Sequence, residues 1–415
     1  PVKQGKYVDF DMHETIETIT AYLNSKHISG LQDTQGRDKP FYNIVVAAAN
    51  IWYRATDIDR KNIRVKAKNR KQIIPAFIAT ILLKDWMKTA DYGQFLNDWG
   101  RTLSRYGSAI SKYVEKDGEL IASEVPWNRF ICDPVSFDAA PQTERLFRTE
   151  AQLRANKSYD QDVVSAMIDS KASRKTMDDQ VVDENSEFYE IYETHYEFPL
   201  SHLTGKESDE SKFAQQMHVI SYMQNDEGEF DDFTLFKGRE EKSPYIKDDL
   251  IEEDGRTLSI GAVEYLFDAQ WMRNHAIKNE KDMLDMSSKL LFQTDDSAFV
   301  GQNAVLDMEN GDFVTTSAGK SISRIDNGAR EINSNQAFGS EWAVLAQELT
   351  NTPDLSRGKN LPSGTTLGEV QVVAEQTASL FEMMTENKAL SLERNHMREH
   401  ILPYLKKQMD NGDEI

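Results

Sequence analysis

Two histidines and a glutamate that could bind a metal lie near the end of the sequence, in the order His396-Met397-Arg398-Glu399-His400. Residues four positions apart share one face of a helix, so His396 and His400 could bind a zinc ion while Glu399 acted as the general base of a hydrolase. Peptidases with this H-x-x-E-H pattern also need a third ligand downstream. Only 15 residues follow His400, and their carboxylates lie in a polar tail. We therefore expect no metal at this motif, with a zinc-dependent hydrolase as the alternative function.

Other catalytic motifs are incomplete. Gly319-Lys320-Ser321 matches the end of a phosphate-binding P-loop, but Val314 stands where the first glycine is required and no helix pattern opens there. The single cysteine, Cys132, excludes an intrachain disulfide and a cysteine-based zinc site. The sequence therefore predicts a protein without a cofactor and without catalytic activity of its own.

The charge balance limits the partners of the chain. Its 415 residues carry a formal net charge of −21, with 39% hydrophobic and 28% charged residues. This composition is typical of a folded protein with more than one domain. A tight DNA-binding protein neutralises phosphates with clustered lysines and arginines, so an acidic chain suits a conduit through which DNA slides. The longest apolar run, Ile73 to Leu83, is too short for a membrane span.

A helix followed by a β-hairpin is predicted in the first third of the chain. Apolar residues at helical spacing between Phe95 and Leu103 run into Gly107. Two alternating segments, Ala109 to Glu115 and Leu120 to Val125, flank Asp117-Gly118, a pair typical of hairpin turns. Further strands are predicted at Glu187 to Phe198, His218 to Met223 and Phe233 to Phe236. The pattern indicates an α+β fold.

A basic segment lies between two predicted helices. The helices cover Phe41 to Ala55 and about Gln72 to Thr89, and seven cations with no acid lie between Arg60 and Lys71. Ile63 and Val65 alternate here with basic residues, which predicts a strand with one apolar and one basic face. Such a strand is either a solvated edge that resists aggregation or a contact with nucleic acid or with an acidic neighbouring subunit.

A long helix is predicted from Gly255 to Leu291. Two apolar faces run along it, so it requires neighbours on both sides, as a helix in a ring of identical subunits does. The residues expected to pack between subunits are Val263, Leu266, Ile277, Met283 and Leu284. An internal helix of a large monomer would show the same pattern.

The remaining chain combines a hairpin with further helices. A hairpin around Asn310-Gly311 is predicted first, then a helix from Ser340 to Leu349. The segment Asn351 to Thr366 contains two prolines and two glycines and is therefore irregular. A final helix, expected to be bent or interrupted near Pro403, is predicted from about Leu367 to Gln408.

This order of elements resembles that of the portal proteins of tailed bacteriophages. Two stretches carry the resemblance: GRTLSIGAVEYLFDAQ is similar to the glycine-led start of the first stem helix, and TPDLSRGKNLPSGTTLGEVQ is similar to the tunnel-loop region. The resemblance implies an α+β portal-like fold. Its parts would be an α/β wing (1–254), a first stem helix (255–291), a β-rich clip (292–335), a second stem helix (336–352), a tunnel loop (353–366) and a long helix toward a crown (367–415).

The resemblance also implies a function. Portal proteins are ring-shaped oligomers, usually of twelve subunits, at one capsid vertex, where they admit and release double-stranded DNA. The implied partners are further copies of the chain, DNA, the major capsid protein, the terminase that drives packaging and a tail adaptor protein, with no membrane. The protein would lie in the virion after assembly in the host cytoplasm. Another acidic virion or assembly protein is a third interpretation.

The same resemblance places four residues in the DNA channel, on the tunnel loop: Arg357, Lys359, Asn360 and Ser363. Two cations on a loop inside an acidic ring would touch phosphates transiently, without the many contacts that stall movement. An exposed surface loop with incidental charges is the alternative.

Overall fold

A computed structural model of the chain describes residues 2–4, 8–33, 36–116, 118–177, 188–224, 230–287, 292–297, 316–324, 332–352 and 367–411. These residues form two compact units. The larger unit contains Pro1–Asn24, Val45–Tyr265 and Thr352–Ile415, and the smaller unit contains Ser25–Ile44 and Leu266–Asn351. The predicted division into wing, stem helices, clip and tunnel loop stays a prediction.

Helices occupy a large part of both units. In chain order they are α1 (Met12–Leu23), α2 (Val45–Ala55), α3 (Ile73–Thr89), α4 (Tyr92–Tyr106), α5 (Glu150–Ala155), α6 (Gln161–Met177), α7 (Ser201–Thr204), α8 (Phe267–Ser287), α9 (Ile332–Leu349), α10 (Leu367–Ser391), the π-helix Leu392–Ile401 and α11 (Leu402–Asn411). Within the described ranges, none of them combines the length and apolarity needed to cross a bilayer.

The strands pair in antiparallel fashion throughout the described sheets. They are β1 (Val2–Gln4), β2 (Val8–Phe10), β3 (Ser108–Lys116), β4 (Glu119–Val125), β5 (Phe130–Ile131), β6 (Gln142–Thr149), β7 (Phe188–Pro199), β8 (Phe213–Gln224), β9 (Phe230–Arg239), β10 (Tyr245–Asp249), β11 (Phe292–Gln293) and β12 (Ser323–Arg324). A three-stranded sheet has the order β10-β3-β4, and a five-stranded sheet has the order β5-β6-β7-β8-β9. The predicted α+β class is confirmed.

Helix α4 and the β3–β4 hairpin lie where the sequence predicted them. Phe95, Leu96, Trp99 and Leu103 are buried along one stripe of α4. Gly107 ends the helix with a φ of 81°, in the left-handed region that glycine adopts without strain. The helix therefore covers the three-stranded sheet with its aromatic face.

Two glycines allow the end of α4 to touch a later segment directly. A Cβ on Gly261 would lie 2.3 Å from the carbonyl oxygen of Arg105, and one on Gly107 would lie 2.5 Å from the carbonyl carbon of Ile260. Backbone atoms cannot yield at these distances as a flexible side chain would. Close packing against α4 is thus a structural reason for a glycine at position 261, which lies in the segment that resembles the start of a stem helix.

A second hydrophobic core lies between the five-stranded sheet and the helices α5 and α6. Leu153 and Met167 from these helices pack with Ile191 of β7 and Val219 of β8. The strands that the sequence predicted here are confirmed, and β8 and β9 extend beyond their predicted bounds. Within the described ranges, hydrophobic residues of the larger unit therefore pack under both the three-stranded and the five-stranded sheet.

The smaller unit is built on the helix pair α8 and α9. A Cβ on Gly339 would lie 3.3 Å from the Cβ of Ala276, so the two helices approach closely there. The amide of Asn335 donates a hydrogen bond to the sulfur of Met283 at 3.0 Å. The short strands β11 and β12 pair between the two helices in sequence. The predicted hairpin around Asn310-Gly311 lies outside the described residues.

The long helix predicted from Gly255 begins later than expected, at Phe267. Residues 255–263 are irregular, and Glu264–Leu266 form a turn of 3₁₀ helix that leads into α8. The N–H of Ala262 donates to the carbonyl of Ser104 at 3.1 Å rather than to a carbonyl of its own helix. Conversely, α9 starts at Ile332, earlier than the predicted Ser340.

The final predicted helix continues to Asn411 but changes its type before Pro403. Proline has no N–H, so it cannot donate to the carbonyl of Glu399 four residues earlier. The ammonium of Lys242 donates to that carbonyl instead, at 3.0 Å. The π-helix precedes the proline at the place where the sequence predicted a bend.

The strand predicted in the basic segment is not formed. Residues 63–67 form no regular element and pair with no strand among the described residues; helix α3 lies beside them. The hydroxyl of Thr80 in α3 donates to the carbonyl of Val65 at 3.2 Å. Ile63 and Val65 are half-buried while Arg64 and Lys66 are exposed, but Ala67, the third residue of the predicted apolar face, is exposed as well. The predicted separation of faces therefore holds only at Ile63 to Lys66.

Candidate functional site

The first histidine of the H-x-x-E-H pattern lies in the core of the larger unit. His396 is fully buried, and both of its ring nitrogens have protein partners. Nε2 lies 2.6 Å from a carboxylate oxygen of Asp248, and Nδ1 lies 2.8 Å from the hydroxyl oxygen of Tyr113. Neither nitrogen is therefore directed at an open coordination position.

The charge of Asp248 determines which nitrogen of His396 carries a proton. Burial alone would raise the pKa of Asp248, but the proximity of His396 and three hydrogen bonds to the carboxylate outweigh burial and lower it. An ionised carboxylate can only accept hydrogen bonds, so Nε2–H of His396 is the donor. The other donors are the indole of Trp99 at 3.1 Å and the amide of Asn395 at 2.8 Å.

These residues have the order of a proton relay but lack access to a substrate. The hydroxyl groups of Tyr113 and Tyr92 lie 3.3 Å apart, which extends the chain of hydrogen bonds beyond His396. The tyrosines, the histidine and Asp248 are all buried. A general base needs a reacting atom within hydrogen-bond reach. The arrangement instead fixes the π-helix to α4, β3 and β10.

The rest of the H-x-x-E-H pattern points away from His396. Glu399 is exposed, and its carboxylate lies 3.6 Å from the ammonium of Lys242. His400 stacks on Tyr113 with ring centroids 4.6 Å apart, and burial, with the charge of Lys242, lowers its pKa to about 4. Across the described ranges, no three His, Cys, Asp or Glu side chains are grouped so that they could hold a metal. This geometry does not support zinc chemistry at the motif.

A buried lysine lies beside this cluster. The ammonium of Lys388 donates to the carbonyl of Thr56 at 3.0 Å and lies 5.1 Å from the centroid of the Trp99 ring. Gly100 leaves room for it, since a Cβ there would lie 2.9 Å from the Lys388 nitrogen. Burial lowers the pKa of Lys388 to about 8. Thr56 follows α2, so the cation stabilises the negative end of that helix. No sequence pattern distinguishes this lysine.

A second polar cluster connects the two sheets. The ammonium of Lys112 in β3 lies 2.7 Å from the carboxylate of Glu144 in β6 and 2.6 Å from that of Glu193 in β7. The ring of His195 bonds to Glu193 at 2.9 Å and to Glu240 at 2.6 Å. The side chain of Lys112 is only 12% exposed. Sequence reasoning missed this cluster, and only the polar face of the alternating β3 segment could have indicated it.

Charge pairing overcomes desolvation in this second cluster. Burial alone would raise the pKa of Glu193, but the hydrogen bond from His195 and the charge of Lys112 outweigh it and hold that pKa at about 2. Burial would likewise lower the pKa of His195, but its bonds to Glu193 and Glu240 raise it. The opposite charges therefore stabilise each other between the sheets.

Large apolar side chains are exposed on the helix pair of the smaller unit. Their exposed fractions are Trp271 56%, Leu284 48%, Phe338 39%, Val344 52%, Leu345 37% and Leu349 54%. Phe338, Leu345 and Leu349 follow at helical spacing and share one face of α9. Single exposed apolar residues are ordinary on a protein surface, but several on one pair of helices are typical of an interaction surface.

The residues predicted to pack between subunits fall into two groups. Val263 and Leu266 are fully buried within the chain, so they cannot contact a second copy. Both precede α8 and belong to the segment that the sequence wrongly included in the long helix. Ile277 and Met283 are half-buried, whereas Leu284 is exposed and remains available for such packing.

The four predicted channel residues, Arg357, Lys359, Asn360 and Ser363, lie outside the described residues. Their position in a channel stays a prediction. Relatives do not identify the chain either, because no known protein family matches it and no curated protein is similar to it at a significant level. Functional inference therefore depends on the order of the elements and on their exposed surfaces.

Proposed function

We propose that this protein is a bacteriophage portal protein, a ring-forming subunit whose central channel passes double-stranded DNA during packaging and ejection. The observation that carries the proposal is the exposed apolar surface of α8 and α9. These helices are separated by a segment containing short strands, in the order stem helix, clip and stem helix that the resemblance implies. In a ring, each copy would cover this surface on its neighbour.

The charge of the chain is consistent with a conduit. At a net charge of −21, a ring of such subunits would repel phosphates, so that DNA could slide without a long-lived contact. We propose a homo-oligomer, of twelve subunits as in the family, at one vertex of the capsid. Its further partners would be the major capsid protein, the terminase and a tail adaptor, and the protein would lie in the virion.

Negative-stain imaging of the purified protein tests this proposal most directly. We expect rings with a central hole, and a mass in solution that is a multiple of 47.4 kDa. Some portal proteins assemble only with their partners, so the same measurement is repeated in the presence of capsid and scaffold proteins. A strictly monomeric mass at micromolar concentration under both conditions would contradict the proposal.

The tunnel-loop prediction is tested by a double variant, Arg357→Ala with Lys359→Ala. Rings should form normally, because the loop residues are not needed for helix packing, whereas packaging or retention of DNA should be poorer. Binding of free duplex DNA should barely change, since two contacts in an acidic ring give little net affinity. A structure with both side chains on the outer rim would contradict the channel position.

The proposed function requires no metal. Elemental analysis of the purified protein should show no stoichiometric zinc, and the protein should have no peptidase activity. One tightly bound zinc per chain, released by His400→Ala, would instead favour the hydrolase. His400 is the better test position because its replacement leaves the buried bond between His396 and Asp248 intact.

A further inference from the structure

The first half of α3 exposes apolar residues beside the basic segment. The exposed fractions of Ile73, Ile74 and Phe77 are 55%, 72% and 65%. They follow the seven cations between residues 60 and 71. Among these cations and within the described part of the chain, only Lys61 has an ion-pair partner, at 3.9 Å. The two features form one surface, which we call the basic end of α3.

A protein with an acidic surface fits the basic end better than nucleic acid does. Duplex DNA would neutralise the cations but would leave Ile74 and Phe77 in water, because its outer surface is phosphate and sugar. A second copy of this chain has the required charge. Since the whole chain carries −21 and the segment carries +7, the remainder carries −28. Opposite patches of this kind steer two proteins together.

A matching surface lies at the other end of the same helix. A cavity of about 450 Å³ opens there, with Asp85, Asp91 and Glu119 around it and Trp86 and Leu120 among its apolar lining residues. The lining residues include no lysine or arginine. In the part of the chain that the structure describes, the three acids form no ion pair, and all three are exposed. We call this surface the acidic cavity of α3.

We propose that the basic end of α3 in one copy docks at the acidic cavity of α3 in the next copy. Ile74 and Phe77 would cover the apolar lining while the cations face the carboxylates. Arg60 lies near the cavity of its own chain, since a Cβ on Gly93 would be 3.5 Å from its guanidinium. Eleven positions separate Ile74 from Asp85, or about 17 Å of helix, so Ile74 cannot cover the cavity of its own chain. A contact between two different surfaces is heterologous and generates a ring or a filament. The contact itself does not depend on the proposed function. Only the closure of such contacts into a ring rests on it.

Charge reversal at each surface tests the contact. One variant combines Lys66→Glu with Lys68→Glu, and the other combines Asp85→Lys with Glu119→Lys. Self-association is measured by sedimentation or mass photometry, and each variant alone should associate at least roughly tenfold more weakly than the native chain. An equimolar mixture of the two variants should recover association, because each altered surface then meets its altered counterpart. A chain that carries all four substitutions should recover it for the same reason.

A matched control reverses the charge of two lysines that lie outside both surfaces. Lys157→Glu with Lys206→Glu alters two exposed lysines away from α3 and should leave association unchanged. Circular dichroism and urea unfolding check that every variant is folded. Binding of each variant to a 20-base-pair duplex and to anionic phosphatidylserine vesicles is measured in parallel.

The outcomes separate this contact from the proposed ring. Native association in the Lys66 and Lys68 variant, no recovery in the mixture, or a monomeric native chain would overturn the contact. Loss of duplex or vesicle binding with unchanged self-association would overturn it as well and assign the surface to nucleic acid or lipid. Rings that form in spite of all four charge substitutions would overturn the contact but would remain compatible with the proposed function. Open filaments that respond to the charges would support the contact and contradict a closed ring.

Discussion

The two units of this protein differ in what they bury. The larger unit encloses polar groups that ordinarily stay in water, such as His396 and Lys388, which are 0% and 1% exposed. The smaller unit leaves apolar groups outside, among them Trp271 and Leu349, which are 56% and 54% exposed. Buried polar atoms need hydrogen-bond partners within the chain, whereas exposed apolar surface is stabilised when another molecule covers it. The buried polar groups of the larger unit are therefore satisfied within the chain, whereas the exposed helices of the smaller unit, like the basic end of α3 in the larger unit, would be stabilised by a partner that covers them.

The largest expected effect concerns the buried bond between Asp248 and His396. Asp248→Ala leaves the donors of Trp99, Asn395 and His396 without their acceptor, so we expect the free energy of unfolding to fall by about 3–5 kcal/mol. Glu399→Ala, on the exposed side of the same π-helix, should change it little. Urea unfolding of both variants measures the difference. A loss below about 1 kcal/mol for Asp248→Ala would contradict the role given to this pair.

The charged cluster between the sheets should make stability depend on pH. The folded pKa of Glu193 is about 2 against an ordinary value of 4.5, so its contribution of about 3 kcal/mol is present above pH 4.5 and lost as the pH falls toward 2. The pKa of His195 is raised above 6.5, so its contribution is present below that pH and lost as the pH rises. The cluster therefore stabilises the larger unit most between pH 4.5 and 6.5.

Glu193→Gln tests the acid side of this dependence. Unfolding free energies measured from pH 6 down to pH 2 should fall less steeply for the variant than for the native chain. His13→Gln is a matched control, because the side chain of His13 is 81% exposed, and it should leave the slope unchanged. Equal acid slopes for the native chain and Glu193→Gln would show that the cluster does not control the acid response.

The close approach at Gly261 should tolerate no side chain. Gly261→Ala places a Cβ against the backbone of Arg105, and we expect a loss of about 2 kcal/mol in urea unfolding. Gly93→Ala is the control, since its Cβ would meet the nearest side-chain atom at an ordinary 3.5 Å. Gly93 lies inside α4, so alanine there should raise stability by about 0.5–1 kcal/mol. Equal effects at both glycines would contradict the contact.

The smallest effect on stability should come from the exposed face of the smaller unit. Val344→Ser with Leu349→Ser removes apolar side chains that are 52% and 54% exposed, so the free energy of unfolding of the isolated chain should change by about 1 kcal/mol. Assembly, measured as mass in solution, should nevertheless be lost. Phe213→Ser removes a residue of the larger unit that is 64% exposed and should leave assembly intact. Normal assembly of the double variant would mean that this face is not the interface.

Elements whose signals are local could be predicted from the sequence. The end of α4 follows from Gly107, and the β3–β4 hairpin follows from Asp117-Gly118, because each signal acts through the backbone conformation of a few neighbouring residues. Helix α1 has such a signal and was missed. Asp11 accepts a hydrogen bond from the N–H of Glu14 at 3.1 Å, which is the capping pattern that begins a helix.

The sequence by itself determined the α+β class, the helices α2, α3 and α4, the strands β3, β4 and β7 to β9, and the acidic charge. The tertiary structure alone decided which groups meet, because pairings such as that of Asp248 with His396 join residues 148 positions apart. It also decided burial: Val263 fits an apolar stripe by its spacing, but its side chain is covered by the chain's own elements. Periodicity reports that a face is apolar, whereas what covers that face depends on elements distant in sequence.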